Sequence, residues 1–346
     1  MTWKDGVVIA GGGLAAQKCA ETLRTRGYEG AIRMVCAEPV RPYDRPPLSK
    51  EALTSDVDPS LRPADWYADN DVELLLGTTA TGVVGRYLET TAGALRFDKL
   101  VIATGASPRQ LPFGSVLRSV ADARDLRSRL KPGSRLAVVG AGFVGMEVAA
   151  SARSVGVDVV LIDVAPAPLA GVLGPDVSRW LVGLHRAEGV EVVLGEGVAA
   201  PRRGALELVG GRLVPCDHVL VGVGVVPGPS WQPDRPDVLL AGDVTGSQHW
   251  DAAVRQAQAA ARAMLGLDAP PPALPSFWSD QYGLRIQYVG DASGADSVTW
   301  DGSSEARDFT AVYSREGRPV AALTVDRPRE LPKLRRLVTE SQEVLT

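Results

Sequence analysis

Two short apolar runs in this chain are each followed by glycines and then by a helical pattern. Residues 6–10 (GVVIA) and 135–139 (RLAVV) are rich in β-branched and apolar side chains, as buried parallel strands are. After each run the apolar spacing becomes that of a helix, and a second apolar run follows, AIRMVCAE in one case and VDVVLID in the other. The order strand, helix, strand predicts a βαβ unit, so two such units are predicted.

The glycines after the first strand have the spacing of a dinucleotide-binding loop. Gly11, Gly13 and Ala16 form G-x-G-x-x-A, in which the first glycine makes the turn and the second leaves room for a pyrophosphate. A helix predicted over about residues 14–26 points its N-terminal N–H groups at that phosphate. Glu38 ends the next strand, where a carboxylate can accept hydrogen bonds from ribose hydroxyls.

The second unit repeats this arrangement with an unbroken G-x-G-x-x-G, formed by Gly140, Gly142 and Gly145. Its second strand ends at Asp163, which suits a free 2′-hydroxyl, and the next five residues contain no Arg or Lys for a 2′-phosphate. NADH is therefore expected rather than NADPH. Because both copies keep their small residues and their acid, a duplicated fold with one inactive site is disfavoured. Two dinucleotides are expected, a nicotinamide and a flavin that accepts its hydride.

Four further stretches, together with the two glycine loops, resemble one family across nearly the whole chain. They are RPYDRPPLSKE (41–51), LVIATGASPRQLP (100–112), VLLAGDVTG (238–246) and FWSDQYGLRIQYVG (277–290). The chain is thereby similar to the FAD-dependent NADH:ferredoxin reductases of bacterial oxygenase systems, which include the putidaredoxin reductase, rubredoxin reductase and aromatic dioxygenase reductase types. The YDRPPLSK and FWSDQY motifs are more specific than the glycine loops.

The resemblance implies roles for individual residues. It implies that Lys50 lies beside the flavin N5, that Glu147 lies near the nicotinamide and pairs with that lysine, and that Trp278 lies near the flavin where an iron–sulfur partner docks. The residues expected to bind FAD are Gly11, Gly13, Leu14, Ala15, Ala16, Glu38, Arg45, Lys50, Ala80, Thr104, Gly105, Asp243 and Trp250. Those expected to bind NADH are Gly140, Gly142, Phe143, Val144, Gly145, Glu147, Asp163 and Gly224.

The predicted fold class is α/β, with two Rossmann-like dinucleotide-binding domains and a small α/β C-terminal domain. An FAD domain is expected over residues 1–112 and 230–268, with an NADH domain over 113–229 inserted between its parts. The C-terminal interface domain is expected over 276–346, where apolar and polar residues alternate before a helical segment. Three segments, 195–216, 227–242 and 243–250, are shorter than is usual in the family, which bears on the surroundings of the flavin.

Composition excludes several other classes. The net charge of −4 is unlike that of a nucleic-acid-binding protein, and no apolar run reaches the roughly 20 residues of a membrane span. Three cysteines far apart show no metal-ligand spacing and no C-x-x-C motif, so no metal and a cytoplasmic location are expected. Disulfide reductases that share the fold of this family carry two cysteines in the region where this chain reads RPYDRPPLSK, and their absence here implies that no dithiol relay operates.

The resemblance implies a [2Fe–2S] ferredoxin or related carrier as electron acceptor, and a basic C-terminal stretch could attract such an acidic partner. That stretch comprises Arg327, Arg329, Lys333, Arg335 and Arg336. Two alternatives remain open: a compact flavin oxidase or dehydrogenase acting on a small organic substrate, and an NADH-responsive interaction protein resembling apoptosis-inducing factor. The oligomeric state is also open, with a weak homodimer as one option.

Overall fold

The structure, a computed structural model, describes residues 4–343. Its strands, numbered along the chain, are β1 (Val7–Ala10), β2 (Ile32–Cys36), β3 (Val72–Leu76), β4 (Ala80–Val84), β5 (Tyr87–Thr90), β6 (Gly93–Arg96), β7 (Lys99–Ile102), β8 (Ala106–Pro108), β9 (Arg135–Val139), β10 (Asp158–Asp163), β11 (Glu191–Leu194), β12 (Val198–Arg202), β13 (Ala205–Leu208), β14 (Leu213–Pro215), β15 (His218–Val221), β16 (Val225–Pro227), β17 (Val238–Leu240), β18 (Ser276–Gln281), β19 (Leu284–Gly290), β20 (Ser297–Ser303), β21 (Asp308–Arg315) and β22 (Arg318–Val325). The helices are α1 (Leu14–Thr25), α2 (Glu51–Thr54), α3 (Ala64–Asp69), α4 (Val120–Arg129), α5 (Phe143–Ser154), α6 (Ala170–Ala187), α7 (Trp250–Met264) and α8 (Leu331–Glu343), with 3₁₀ turns at Pro46–Ser49 and Asp243–Thr245.

Contacts divide the chain into two compact units. Unit 1 contains the described residues up to Arg45, together with Asp58–Ser107 and Val225–Ala273. Its central sheet is parallel, with the order β17-β7-β1-β2-β3. The apolar sides of α1 and α7 pack on one face of this sheet, and the antiparallel sheet β4-β5-β6 contributes Leu88 to the core on the other face.

Unit 2 contains Pro46–Val57, Pro108–Gly224 and the described residues from Leu274 onward. Its parallel sheet has the order β11-β10-β9-β15. A second, antiparallel sheet, β18-β19-β22-β21-β20, carries α8 on one face through Leu334 and Val338. The two parallel sheets confirm the predicted α/β class, and the alternating pattern of the C-terminal residues corresponds to the antiparallel sheet.

Among residues 4–343, no helix is both long enough and apolar enough to cross a bilayer. Within the same described range, no group of three or more His, Cys, Asp and Glu side chains is placed to hold a metal ion.

Candidate cofactor-binding sites

The first glycine loop lies in unit 1 and leaves the start of α1 uncovered. The chain turns at Gly11, whose φ is +148°, and an ideal Cβ there would lie 2.2 Å from the carbonyl oxygen of Ala103. This turn therefore has no room for a side chain. Gly13 is the N-cap of α1, and a Cβ added to it would meet no other described atom within 4 Å. The space above the helix N-terminus suits a phosphate group bound by backbone N–H groups.

The first turn of α1 packs closely against the end of β17. Leu14, Ala15 and Ala16 form this turn, and the two alanines are buried. A Cβ added to Gly242 would lie 2.9 Å from the Cβ of Ala15, so the backbones approach closely at this point. Asp243 follows directly, and the structure thus places this expected FAD residue beside the glycine loop.

The carboxylate of Glu38 is held by two side chains of the segment that follows it. The hydroxyl of buried Tyr43 donates to this carboxylate, at 2.7 Å from Oε2 and 2.9 Å from Oε1. The guanidinium of Arg45 lies 3.4 Å from Oε1. These contacts fix the orientation of an acid expected to bind ribose. Tyr43 was missed in the sequence analysis, although it lies within the RPYDRPPLSK motif two residues before Arg45.

Three other expected FAD residues lie in different parts of unit 1. Thr104 and Gly105 follow β7, and the Thr104 hydroxyl donates to the carbonyl of Gly228 at 2.7 Å. The carbonyl of Gly105 accepts a hydrogen bond from the backbone N–H of Gly228 at 3.2 Å. Ala80 begins β4 and packs against the core between the two sheets of this unit. The roles of these residues remain predictions.

Trp250 is the first residue of α7, as the sequence predicted. Its indole Nε1 donates to the carboxylate of Asp44 at 2.9 Å. Because Asp44 belongs to the RPYDRPPLSK motif, this bond connects the start of α7 to the segment that carries Arg45. The helix start was apparent from the sequence, whereas the bond joins residues 206 positions apart and was not.

The second glycine loop, in unit 2, has the same construction. Gly140 has φ +110°, and a Cβ there would lie 2.3 Å from the carbonyl oxygen of Gly222. A Cβ on Gly145 would lie 2.0 Å from the carbonyl oxygen of Gly140, so only glycine permits this approach of helix and strand. Gly142 is the N-cap of α5, and a Cβ there would meet no other described atom within 4 Å. This loop also leaves a helix start accessible to a phosphate group.

The remaining expected NADH residues surround this loop to different degrees. The ring of Phe143 packs against Phe277 of the same unit, with 4.8 Å between ring centroids. Val144, next to it on α5, is exposed. Gly224 has φ +95°, and its carbonyl accepts a hydrogen bond from the backbone N–H of Arg109 at 2.9 Å. Their contact with a nucleotide remains a prediction.

Asp163 connects the end of β10 to the glycine loop. Its Oδ2 accepts a hydrogen bond from the backbone N–H of Ala141 at 2.6 Å, and its Oδ1 accepts from Ala165 at 2.7 Å. Each carboxylate oxygen keeps a second lone pair that a ribose hydroxyl can use. Val164, which follows it, is 73% exposed.

Lys50 and Glu147 form an ion pair in unit 2. Lys50 Nζ lies 3.1 Å from Glu147 Oε1, and the two side chains are only 11% and 7% exposed. Oε1 also accepts from the Ser279 hydroxyl at 2.7 Å, and Oε2 accepts from Ser49 at 2.5 Å. The pair suggested by the resemblance is thus present, and two hydroxyls compensate the buried carboxylate in addition to the ammonium.

Further buried polar side chains continue from Ser279. Gln281 Nε2 donates to the Ser279 hydroxyl at 3.0 Å, and Gln281 Oε1 lies 2.9 Å from His185 Nε2. The other ring nitrogen of His185 lies 2.7 Å from the Tyr282 hydroxyl. Burial lowers the pKa of His185 to about 4, because the charged imidazole would lose its hydration. The sequence gives no sign of this arrangement, since His185 lies on α6, away from every motif.

The low pKa of His185 predicts a loss of stability in mild acid. The ordinary pKa is 6.5, so between about pH 6.5 and about pH 4 the unfolded chain binds a proton that the folded chain does not. The unfolding free energy should fall by up to about 3 kcal/mol over this range, with no further contribution from this group below it. Urea unfolding of the wild type and of His185→Gln between these pH values measures the difference. A His218→Gln variant is the control, and equal pH slopes for the wild type and His185→Gln would contradict the prediction.

Trp278 lies on the opposite side of β18 from the ion pair. Alternate residues of a strand face opposite sides, and Ser279 faces Glu147. The guanidinium of Arg285 lies over the Trp278 ring in a cation–π contact, 5.7 Å from the ring centroid. The Trp278 ring and the ion pair thus lie on opposite sides of this strand, and the expected role of Trp278 at a partner interface remains a prediction.

The cysteines are buried thiols without disulfide partners. Cys19, Cys36 and Cys216 are all free. Burial raises the pKa of Cys19 and of Cys36 to about 12, and it also raises the pKa of Cys216. A thiol with such a pKa is almost entirely protonated near neutrality and is a poor nucleophile.

The basic stretch near the C-terminus is partly neutralised. Arg327 forms ion pairs with Asp301, Asp308 and Glu330. Its charge is therefore largely balanced within the unit. The side chains of Arg329, Lys333 and Arg336 are exposed on or before α8 and remain candidates for attracting an acidic partner.

Comparisons with known proteins give consistent matches. The family described as pyridine nucleotide-disulphide oxidoreductase matches residues 5–257, and the family described as reductase C-terminal matches residues 276–346. The chain is 33% identical over 386 residues to the 5,5′-dehydrodivanillate O-demethylase ferredoxin reductase subunit of Sphingobium sp. (strain NBRC 103272 / SYK-6), covering 97% of this chain and 94% of the relative. It is 33% identical over 383 residues to the benzene 1,2-dioxygenase system ferredoxin–NAD(+) reductase subunit of Pseudomonas putida, covering 98% and 93%. Among solved structures, the covalent putidaredoxin reductase–putidaredoxin complex matches with a TM-score of 0.92 and 32% identity, covering 98% of this chain and 94% of the other.

Proposed function

This chain belongs to the pyridine nucleotide-disulphide oxidoreductase family, and from that membership we propose that it is an NADH-dependent FAD flavoprotein reductase. It passes electrons from NADH through FAD to a [2Fe–2S] ferredoxin or similar carrier that serves an oxygenase, as the names of its relatives indicate for them. The observation that carries the proposal is the pair of open glycine loops, Gly11–Gly13 in unit 1 and Gly140–Gly142 in unit 2. The loop in unit 1 binds FAD, and the loop in unit 2 binds NADH.

The residues of the chain bind, orient and supply charge. FAD, when bound, supplies the conversion of a hydride from NADH into single electrons. With the dinucleotides bound, the N–H groups at the starts of α1 and α5 would hold the pyrophosphates, and the carboxylates of Glu38 and Asp163 would accept hydrogen bonds from the ribose hydroxyls. Lys50 supplies a cation that favours the negative charge of a reduced flavin, and Glu147 holds that cation in place.

No thiol takes part in the transfer. The free thiols of the chain are buried and, with raised pKa values, protonated near neutrality. The three thiols thus offer no dithiol relay of the kind for which the broad family is named. Three unpaired cysteines also accord with a reducing, cytoplasmic location, which we include in the proposal.

Anaerobic mixing with NADH tests this function. Protein reconstituted with FAD should lose its flavin absorbance rapidly when NADH is added and should respond little to NADPH. The reduced protein should then reduce added [2Fe–2S] ferredoxin. A colourless protein that takes up no FAD would overturn the proposal. Rapid oxygen consumption without a carrier would identify a flavin oxidase instead. A long-lived reduced flavin with NADH-induced dimerisation and negligible turnover would identify an interaction protein.

Substituting two residues at the end of β10 should change the nucleotide preference. In the double variant Asp163→Ala/Val164→Arg, the carboxylate that repels a 2′-phosphate is absent and an arginine occupies a position that is 73% exposed in the wild type. The ratio of kcat/KM for NADH to that for NADPH should fall by about 10- to 100-fold, or about 1.4–2.7 kcal/mol. Steady-state kinetics with both nucleotides measures the ratio.

The controls for this change separate charge from local structure. Asp163→Asn keeps an oxygen that can accept from Ala141 or Ala165, and Val164→Arg alone keeps the carboxylate. Each single variant should shift the ratio less than the double variant does. An unchanged ratio in the double variant would exclude Asp163 from nucleotide discrimination.

A further inference from the structure

A continuous chain of hydrogen bonds leads from Glu147 to the Tyr282 hydroxyl. The links run through Ser279, Gln281 and His185, at 2.7, 3.0, 2.9 and 2.7 Å in order from the carboxylate. His185 and Ser279 are fully buried and Gln281 is 1% exposed, so water does not substitute for these bonds. All five residues belong to unit 2, on α5, β18, α6 and the turn after β18.

The carboxylate at one end sets the direction of every bond in the chain. An ionised carboxylate only accepts, so the Ser279 hydroxyl donates to it and must itself accept from the amide of Gln281. The amide oxygen of Gln281 then accepts, which requires a proton on His185 Nε2. The neutral imidazole carries no second proton, so its Nδ1 accepts from the Tyr282 hydroxyl. The Glu147 carboxylate, three hydrogen bonds away, therefore determines that His185 carries its proton on Nε2.

The hydrogen-bond chain ends at a strained turn that contains Tyr282. Tyr282 and Gly283 form the two-residue turn between β18 and β19, with φ values of +54° and +77°. Such hairpin turns prefer Asn-Gly or Asp-Gly, because a bulky residue at positive φ is strained. A tyrosine here directs its hydroxyl at His185 Nδ1, and its ring packs edge-on against the imidazole with 5.1 Å between centroids. The strain is retained where an aspartate or asparagine would remove it, which indicates a use for the phenol.

We propose that Ser279, Gln281, His185 and Tyr282 are positioning residues for the Lys50–Glu147 pair. The hydrogen-bond chain holds Glu147 Oε1 in the orientation in which this oxygen contacts Lys50 Nζ. The Ser279 hydroxyl and the Lys50 ammonium both bind this oxygen. Loss of a distant link lets the carboxylate rotate and moves the ammonium with it. The effect on electron transfer rests on the function proposed above for Lys50, whereas the directed chain itself does not depend on that function.

Histidine NMR tests the direction of the chain in the resting protein. The sequence contains three histidines, so ¹⁵N-histidine labelling with His218→Gln and His249→Gln variants assigns the signals of His185. The protein should show a single neutral tautomer of His185 with the proton on Nε2. Glu147→Gln removes the acceptor-only end, and the ring-nitrogen signals of His185 should then shift or show both tautomers. A proton on Nδ1 in the wild type, or unchanged signals in Glu147→Gln, would overturn the proposal.

Two substitutions of Tyr282 separate positioning from stability. Tyr282→Phe removes the hydroxyl and keeps the strained turn, whereas Tyr282→Asn removes the hydroxyl and creates the favoured Asn-Gly turn. Both should slow flavin reduction by NADH about tenfold and shift the flavin potential in the same direction, although their unfolding free energies change differently. Tyr87→Phe, at an exposed tyrosine of unit 1, is the control and should leave both quantities unchanged.

The outcomes distinguish this inference from the proposed function. If rate and potential follow the unfolding free energy, or if Tyr282→Phe has the rate and potential of the wild type, the residues are only structural and the inference is wrong. If NADH does not reduce the wild-type flavin at all, the proposed function is wrong, and the His185 signals still decide whether the directed chain exists.

Discussion

Gly13→Ala is expected to yield a folded protein that retains little FAD, whereas Gly142→Ala is expected to retain FAD and lose its response to NADH. In both variants the added methyl group meets no other described atom within 4 Å, and both backbones are extended with negative φ, so the fold itself has no reason to change. The methyl group instead occupies the space through which a pyrophosphate approaches the helix N-terminus. Each substitution should weaken binding of its own dinucleotide by about 100-fold, or about 2.7 kcal/mol.

Flavin content, thermal unfolding of the apoprotein and the KM for NADH measure these effects. Gly11→Ala and Gly140→Ala are matched controls of the opposite kind, because their Cβ atoms would lie 2.2 and 2.3 Å from backbone carbonyl oxygens. These two should lower the stability of the apoprotein itself. If Gly13→Ala bound FAD normally, or if Gly142→Ala lost FAD rather than NADH, the assignment of one loop to each dinucleotide would be wrong.

Lys50→Met is expected to destabilise the protein by about 3–5 kcal/mol, a large part of the stability of a typical domain. The substitution leaves the Glu147 carboxylate, which is 7% exposed, without its cation. The Ser49 and Ser279 hydroxyls alone do not replace the lost charge. In the holoprotein, the reduction potential of the flavin should also become more negative, by roughly 20–40 mV for the two-electron couple, because the reduced ring would lose the cation that the proposed function assigns to Lys50.

Combining Lys50→Met with Glu147→Gln separates the two effects. The double variant has no unpaired buried charge, so its unfolding free energy should recover most of the loss, which urea titration measures. Its flavin potential should stay low, because the cation is still absent. A stability loss below about 0.5 kcal/mol for Lys50→Met would show that solvent screens the pair, and an unchanged potential would remove Lys50 from the electron-transfer step.

The parts of the fold predicted from the sequence are those with a short-range signal. The strands at Val7–Ala10 and Arg135–Val139, their glycine loops and helices α1 and α5 follow from apolar spacing and glycine positions within about 20 residues. The start of α7 at Trp250 and the helix in the C-terminal segment also follow from local patterns. The pairing of Lys50 with Glu147 came only from the family resemblance, because no local rule joins residues 97 positions apart.

The parts that the sequence analysis missed depend on tertiary contacts. Tyr43 reads as an ordinary aromatic residue until Glu38 is seen beside its hydroxyl. His185 has the sequence context of a residue near the end of an amphipathic helix, and only its contacts with Gln281 and Tyr282 show that it is buried and polar at once. Residues Pro46–Val57 lie far in sequence from the rest of unit 2, and local pattern does not reveal which unit they contact.

The buried site of Glu147 has a consequence for biosynthesis. Its two hydroxyl ligands come from Ser49, 98 residues earlier, and Ser279, 132 residues later. At about 5–20 residues per second, a ribosome delivers Ser279 roughly 7–26 s after Glu147. By the end of that interval all four strands of the parallel sheet of unit 2 have been made, while the carboxylate still awaits β18 and remains hydrated. Burial of the Glu147 carboxylate is thus completed late in synthesis. A nascent chain released before β18 emerges would lack the Ser279 hydroxyl and would expose this carboxylate to the chaperones and proteases of the cell.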